Sequence, residues 1–244
     1  MTLNSVVGVI ATVCLFVPIL IILMFRLAWY KSFPALLAYY LILFSYNLLS
    51  ITTVKPTDNF MYYFGVVCNL LDAPLMLTFI TYFSPTALVR KRIKLVVPAF
   101  LLFELVIIAL YGFNVRAATI VLGPGLGLVL VFSILFFVHQ AKITVIHQKA
   151  IGKAFMVAGL LFAYGGYSFI YVVYYILKTK YRDDTYLVYF LVCIFSSLLV
   201  SAGVFFERKR VKQLAEVQTT RKELKLIYGR SEKSDPPISK RQFY

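Results

Sequence analysis

The stretch "VVGVIATVCLFVPILIILMF", residues 6–25, holds twenty consecutive residues without a charged side chain. A helix needs about 20 apolar residues to cross a hydrocarbon core roughly 30 Å thick, so this stretch predicts a membrane-spanning helix. No Lys or Arg occurs before Arg26, and no small-residue cleavage site follows. We therefore expect the segment to remain as the first span rather than to be removed as a signal peptide.

Six further apolar windows follow along the chain. The seven predicted spans cover residues 6–25, 34–54, 60–83, 95–113, 118–138, 154–177 and 186–206. The chain is 61% hydrophobic and 14% charged, whereas a soluble domain carries about 25% charged residues. The connections are short, so consecutive helices should pack as antiparallel neighbours. The predicted fold is all-α: a polytopic bundle of seven transmembrane helices over residues 1–206, followed by a basic tail over residues 207–244.

The positions of the basic residues predict the orientation. The loops after the first, third and fifth spans hold nine Lys or Arg, whereas those after the second, fourth and sixth hold five. Because basic loops prefer the cytoplasm, we expect the N-terminus outside and the C-terminus, with its eleven Lys and Arg, in the cytoplasm. The expected location is a bacterial cytoplasmic (inner) membrane. The net charge of +15 then reflects topology, and binding to nucleic acid is not expected.

The tail changes character twice. Residues 207–228 can continue the seventh span as a helix with apolar residues at heptad spacing: Leu214, Val217, Leu224 and Tyr228. This stripe fits two alternatives, a juxtamembrane helix near anionic lipid head groups or a stalk for a homodimer or a protein partner. From Arg230 onward, the charges and the Pro236-Pro237 pair predict disorder.

Two carboxylic acids lie near the middle of predicted spans. Asp72 lies in the third span, within "CNLLDAPLML" (residues 68–77), and Glu104 lies in the fourth, within "LLFELVII" (residues 101–108). An acid at the bilayer centre costs about 2.5–3.5 kcal/mol on insertion scales and usually marks a function. No Lys or Arg lies at that depth in a predicted span. We expect both acids to be protonated for much of the time or to face a water-filled cavity, because loss of water disfavours a charged carboxyl.

Other polar residues are candidates to share a cavity with these acids. Asn69 lies on the same helix face as Asp72, and Asn47 lies on the outer side of the second span. The sixth span carries a polar stripe at helical spacing: Tyr164, Ser168, Tyr171 and Tyr175. The seventh span adds three serines: Ser196, Ser197 and Ser201. We predict a ligand- or proton-binding pocket between the third, fourth and sixth spans. For the hydroxyl groups, hydrogen bonds between helices are the alternative.

Two proline sites are hinge candidates. Pro74 withdraws one backbone donor and can free the carbonyl of Leu70, one turn earlier and beside Asn69 and Asp72, which predicts a slightly broken point in the third helix. In the fifth span, "GPG" (Gly123, Pro124 and Gly125) predicts a kink or a local opening. The alternative for the glycines is a tight helix crossing through small residues.

Several seven-span families require residues that this chain does not hold. Microbial rhodopsins bind retinal on a lysine of the last span, and residues 186–206 contain none. Zinc-dependent lipid hydrolases and quinol-linked haem proteins need several intramembrane histidines, whereas His139 and His147 lie together at one end of the fifth span. We therefore expect no metal and no cofactor. The three cysteines lie in apolar spans and suggest no disulfide framework.

Three segments of the chain resemble a group of uncharacterised seven-span bacterial membrane proteins: "LLDAPLMLTF" (residues 70–79), "VLGPGLGLVL" (121–130) and "LLFAYGGYSF" (160–169). The resemblance implies no activity. From the residues we expect a sensor-like, receptor-like ligand-binding bundle that uses Asp72 and Glu104, with the tail as its output. The alternatives are a small proton-coupled transporter and an accessory subunit of a membrane complex. An enzyme is not expected, because no nucleophile, base and orienting group occur together at suitable spacing.

Overall fold

The computed structural model describes residues 3–51, 58–147, 150–177 and 182–231. These residues form helices and contain no strand: α1 (Leu3–Met24), α2 (Phe33–Ile51), α3 (Asp58–Ile80), α4 (Ala87–Tyr111), α5 (Val115–His147), α6 (Ile151–Tyr171) and α7 (Arg182–Ser231). A 3₁₀ turn, Thr81–Phe83, extends α3, and a π-helical turn, Val172–Ile176, extends α6. All seven helices are long and apolar enough to cross a membrane. The predicted all-α seven-helix bundle is confirmed, and the protein is an integral, multi-pass membrane protein.

Six of the helices form a closed ring. α1 packs on α2 and α7, α2 on α3, α3 on α5, α5 on α6, and α6 on α7. α4 lies outside this ring and packs on α3 and α5. Only 17% of its apolar window is buried, whereas 50% of the apolar window of α3 is buried. By this measure α3 is the most buried of the seven helices and α4 the least.

Hydrogen bonds between helices define two ends of the bundle. At the Tyr62 end, the Tyr62 hydroxyl accepts from Val115 N (3.2 Å), which joins the starts of α3 and α5. At the Glu207 end, Gln140 Nε2 donates to Phe83 O (3.2 Å), and the Tyr82 hydroxyl donates to Glu207 Oε1 (2.7 Å). The latter bond joins the end of α3 to α7. The predicted orientation places the Tyr62 end outside and the Glu207 end in the cytoplasm.

Small residues bring α6 and α7 into backbone contact. A Cβ atom added at Gly152 would lie 2.6 Å from Glu207 N, and one added at Gly203 would lie 2.6 Å from Met156 N. Such distances are shorter than real Cβ contacts, so the two helices approach this closely only because both positions are glycine. Two of the buried serines of α7 bond within their own helix: Ser196 and Ser197 donate to the carbonyl of Cys193. The Oγ of the third, Ser201, has no partner among the described residues.

α7 continues well past the predicted span. It runs from Arg182 to Ser231 as one helix, so the tail is helical through the predicted residue 228. Within the stripe at heptad spacing, Val217 and Leu224 are exposed. The disorder predicted after Arg230 falls mainly on residues 232–244, which lie outside the described residues.

Candidate functional site

A cavity of about 490 Å³ opens among the helices in the half of the bundle nearest the Tyr62 end. Its wall is built by α2, α3, α5, α6 with its π-helical turn, and α7. Asp72, Asn69 and Asn47 supply carboxyl and amide groups to the wall, and leucine and isoleucine side chains supply apolar surface. The volume lies within the range of about 300–1,000 Å³ typical of small-molecule sites.

Aromatic residues dominate this wall. Seven tyrosines and one phenylalanine line it: Tyr39, Tyr46, Tyr167, Tyr171, Tyr174, Tyr175, Tyr189 and Phe190. They come from α2, from α6 with its π-helical turn, and from the start of α7. π-Helical turns occur often at functional sites, and here the turn places Tyr174 and Tyr175 in the wall. The cavity can thus offer both ring faces and hydroxyl groups to a ligand.

Asp72 is the acidic residue of the wall. It is partly buried, and one of its oxygens accepts a hydrogen bond from the Tyr164 hydroxyl at 2.9 Å. Tyr164 is fully buried behind it on α6. The lining residues that the structure describes include no Lys, Arg or His. Among the described lining residues, a negative charge on Asp72 would therefore have no basic side chain beside it.

The two asparagines lie on either side of the cavity. Asn69 is exposed on α3, one turn before Asp72, and lines the wall as the spacing predicted. Asn47 is buried on α2, and its Nδ2 donates to Leu43 O at 2.9 Å. That bond fixes the orientation of the Asn47 amide against its own helix.

Glu104 is not part of this cavity. It is buried on α4, and its Oε1 has no hydrogen-bond partner among the described residues. α4 contributes no residue to the lining, so the prediction of a pocket between the third, fourth and sixth spans is wrong for the fourth span. The reason is the peripheral position of α4, outside the ring that encloses the cavity. No hydrogen bond joins Glu104 to Asp72 in the described part of the chain.

The stripe on the sixth span divides between three environments. Tyr171 and Tyr175 line the cavity, whereas Tyr164 lies behind the wall and contacts Asp72. Ser168 does not line the cavity, and its Oγ is buried without a partner among the described residues. The periodicity thus identified one helix face but not the depth at which each side chain lies.

The hinge candidates lie within continuous helices. α3 runs unbroken through Pro74, whose carbonyl accepts from Thr78 Oγ1 at 2.8 Å. α5 likewise runs unbroken through Pro124, without the local opening that was one of its two predicted outcomes. Its two glycines serve close packing instead. A Cβ atom at Gly123 would lie 2.9 Å from the Tyr171 hydroxyl, and one at Gly125 would lie 2.9 Å from the Cβ of Ala73.

Sequence reasoning did not name five of the seven tyrosines of the wall as site residues: Tyr39, Tyr46, Tyr167, Tyr174 and Tyr189. Tyr167 and Tyr174 lie on α6 and its π-helical turn, beside the predicted stripe. The other three lie on α2 and α7, whose packing around α3 and α6 is a property of the assembled ring. The only signal in the sequence was the number of tyrosines, 18 in the chain. An excess of hydroxyl-bearing rings within apolar spans indicated a polar interior but not its location.

The hydrogen bond between Tyr164 and Asp72 gives a testable prediction. Tyr164→Phe should lower the free energy of unfolding by about 1–3 kcal/mol, because the carboxyl oxygen loses its buried donor. Tyr174→Phe is the matched control, since that ring is 40% exposed, and it should change stability by less than about 0.5 kcal/mol. Thermal unfolding in detergent measures both. Equal effects of the two variants would contradict the role of this bond.

The described residues bring no group of three His, Cys, Asp or Glu side chains together as a metal site. A search for relatives found no significant match among protein-family models, curated proteins or solved structures.

Proposed function

We propose that this membrane protein binds a small organic cation in the tyrosine-lined cavity, with Asp72 as its counter-charge. The observation that carries the proposal is a carboxyl group on the wall of a cavity whose described lining has no basic residue. A carboxylate that is partly removed from water without a cation beside it is costly. An ammonium ligand would supply the missing charge, and binding would then stabilise the charged form of Asp72.

The rest of the wall fits the same ligand class. A cation over a tyrosine ring is attracted by about 0.5–2 kcal/mol, and seven tyrosines line this cavity. Leucine and isoleucine side chains, such as Leu122 and Leu126, add apolar surface. The wall therefore favours an amine or quaternary ammonium that carries an apolar group, rather than a bare metal cation.

The continuity of α7 supports a sensing role. Tyr189 and Phe190 line the cavity near the start of α7, and the same helix continues to Ser231. Fifty residues of helix extend about 75 Å at 1.5 Å per residue, well beyond the thickness of a bilayer. A displacement of α7 by ligand would thus reach the tail, where exposed Val217 and Leu224 offer contacts to a second copy or to a partner protein.

A ligand panel tests the proposal on the purified protein in detergent. Ammonium compounds of increasing size are compared with neutral compounds of the same shape and with carboxylates. We expect the melting temperature to rise with the ammonium compounds alone, since a ligand at 100 times its Kd stabilises by about 2.7 kcal/mol. Equal effects of cations and their neutral analogues would overturn the proposal.

Transport is the second outcome that the same cavity allows. The protein is reconstituted in sealed vesicles, and an ammonium compound that binds it is added to the external solution. Uptake of the compound is followed in the presence and absence of a proton gradient. Uptake that disappears in Asp72→Asn would assign transport. Binding without uptake would support sensing.

A further inference from the structure

Two lysines converge on one aromatic ring at the Glu207 end. Tyr82, in the 3₁₀ turn after α3, is buried. Lys153 Nζ, from the first turn of α6, lies 4.6 Å from the centroid of this ring and 3.5 Å from Tyr82 O. Lys31 Nζ, from the connection between α1 and α2, lies 5.8 Å from the same centroid. Three distant parts of the chain therefore place two ammonium groups around one side chain.

The charges at this end do not balance. Lys153 is repelled by Arg210, Lys31 and Arg90, and it is attracted by Glu207. The described charges that act on Lys153 are thus three basic groups and one carboxylate. That carboxylate is already engaged, because Glu207 Oε1 accepts from the Tyr82 hydroxyl at 2.7 Å and from Arg210 Nη1 at 3.3 Å. Glu207 is 2% exposed, so its single charge is held beside Tyr82 and Arg210 and is shared among the basic groups.

A polar group with unused hydrogen-bonding capacity follows Tyr82 closely in the chain. Ser84, two residues after Tyr82, is 8% exposed, and its Oγ has no partner within the described residues. A buried hydroxyl without a partner costs free energy, so a bound ligand or water is expected to satisfy it. The first turn of α6 adds the positive end of a helix dipole, and its N-cap residue, Ala150, has no side chain that could cap it.

We propose that the Glu207 end binds a phosphoryl group, held between Lys31, Lys153 and Arg210, with Arg90 adding to the positive field. A phosphate has several oxygens that carry its charge, which suits basic groups arriving from different directions. The same chemistry is offered by the head group of an anionic phospholipid and by a soluble phosphate compound. The predicted orientation would place this site at the cytoplasmic leaflet, where anionic lipids attract basic residues.

The first test measures which lipid the purified protein retains. The protein is equilibrated with a mixture of phosphatidylcholine and phosphatidylglycerol, and the lipids that remain bound are identified by native mass spectrometry. We expect preferential retention of phosphatidylglycerol. Lys153→Gln and Lys31→Gln should each weaken that retention by about tenfold, equivalent to about 1.4 kcal/mol, because each removes a charge-assisted contact.

Lys142→Gln is the matched control, because Lys142 is an exposed lysine on α5, whose C-terminal part reaches the same end. It should retain phosphatidylglycerol as the unmodified protein does. Lys31 is also exposed, so Lys31→Gln is expected to fold. It keeps the test valid if Lys153→Gln fails to fold. Equal retention by all three variants would overturn the proposal, because general surface charge would then account for binding.

The second test separates the two sources of phosphate. Protein in phosphatidylcholine alone is titrated with inorganic phosphate and with glycerol phosphate, and the melting temperature is followed. Stabilisation that is lost in both Lys31→Gln and Lys153→Gln assigns the site to soluble phosphate compounds. No stabilisation, together with selective phosphatidylglycerol retention, assigns it to a lipid head group. If the protein neither retains phosphatidylglycerol selectively nor is stabilised by the phosphate compounds, the proposal is overturned. This outcome is independent of the result for the tyrosine-lined cavity.

Discussion

Asp72→Asn is expected to weaken the binding of an organic ammonium compound by about thirtyfold. The side chain keeps its size and can still accept from Tyr164, 2.9 Å away, but it can no longer carry the counter-charge. Hydrogen bonds to charged groups contribute about 1.5–3 kcal/mol, and each 1.4 kcal/mol is a factor of ten in Kd. Isothermal titration calorimetry on the purified protein measures the change directly.

The chain offers a matched control for this prediction. Glu104→Gln makes the same change of acid to amide at Glu104, which is buried on α4 and does not line the cavity. It should leave the affinity for the ammonium compound within about twofold, a change of less than about 0.5 kcal/mol. If Glu104→Gln weakened binding as much as Asp72→Asn, the two acids would act as one site and the position of the cavity described above would be wrong.

Gly203→Leu is expected to have the largest effect on stability. A Cβ atom at this position would lie 2.5 Å from Met156 Cγ and 2.7 Å from Gly152 O. Because a backbone carbonyl is among the contacts, rotation of a side chain cannot relieve the overlap. Overpacking a tight contact costs about 1–3 kcal/mol and sometimes more, and we expect about 3 kcal/mol here. The melting temperature in detergent, followed by far-ultraviolet circular dichroism, should fall accordingly.

Gly127→Ala is the control for this second prediction. Gly127 lies within α5, and a Cβ atom there would meet nothing within 4 Å. Alanine in place of glycine stabilises a helix interior by about 0.5–1 kcal/mol, so the melting temperature should rise slightly. A fall in both variants would mean that backbone flexibility, rather than close packing of α6 on α7, determines the effect at Gly203.

The spans could be predicted from the sequence because bilayer thickness fixes the length of an apolar window. The boundaries were less accurate. α4 begins at Ala87 rather than at residue 95, since four basic residues are accommodated in its first turns. Helical spacing also placed Asn69 correctly on the face that carries Asp72, because neighbours three residues apart share a face in any helix.

The sequence predicted that consecutive helices are neighbours, and all six consecutive pairs pack together. The contacts between helices that are not consecutive could not be read from it. α3 packs on α5, and α1 packs on α7, although neither pair is consecutive in the chain. Sequence order therefore suggested that Glu104 on α4 would share a pocket with Asp72. The order of the helices in the sequence did not indicate that Tyr39 of α2 and Tyr189 of α7 complete the wall of the cavity. Helix packing in a membrane depends on small residues such as Gly152 and Gly203, and their partners are known only once the bundle is assembled.

Photoaffinity labelling tests the central claim, that the tyrosine-lined cavity beside Asp72 holds an organic cation. A diazirine-bearing ammonium compound is bound to the protein and photolysed, and the modified residues are identified by peptide mass spectrometry. We predict labels on cavity residues such as Tyr171 and Leu126, competed by the parent ammonium compound and greatly reduced in Asp72→Asn. Labelling confined to lipid-facing residues, such as Leu102 and Leu105 of α4, and unaffected by Asp72→Asn would contradict the account.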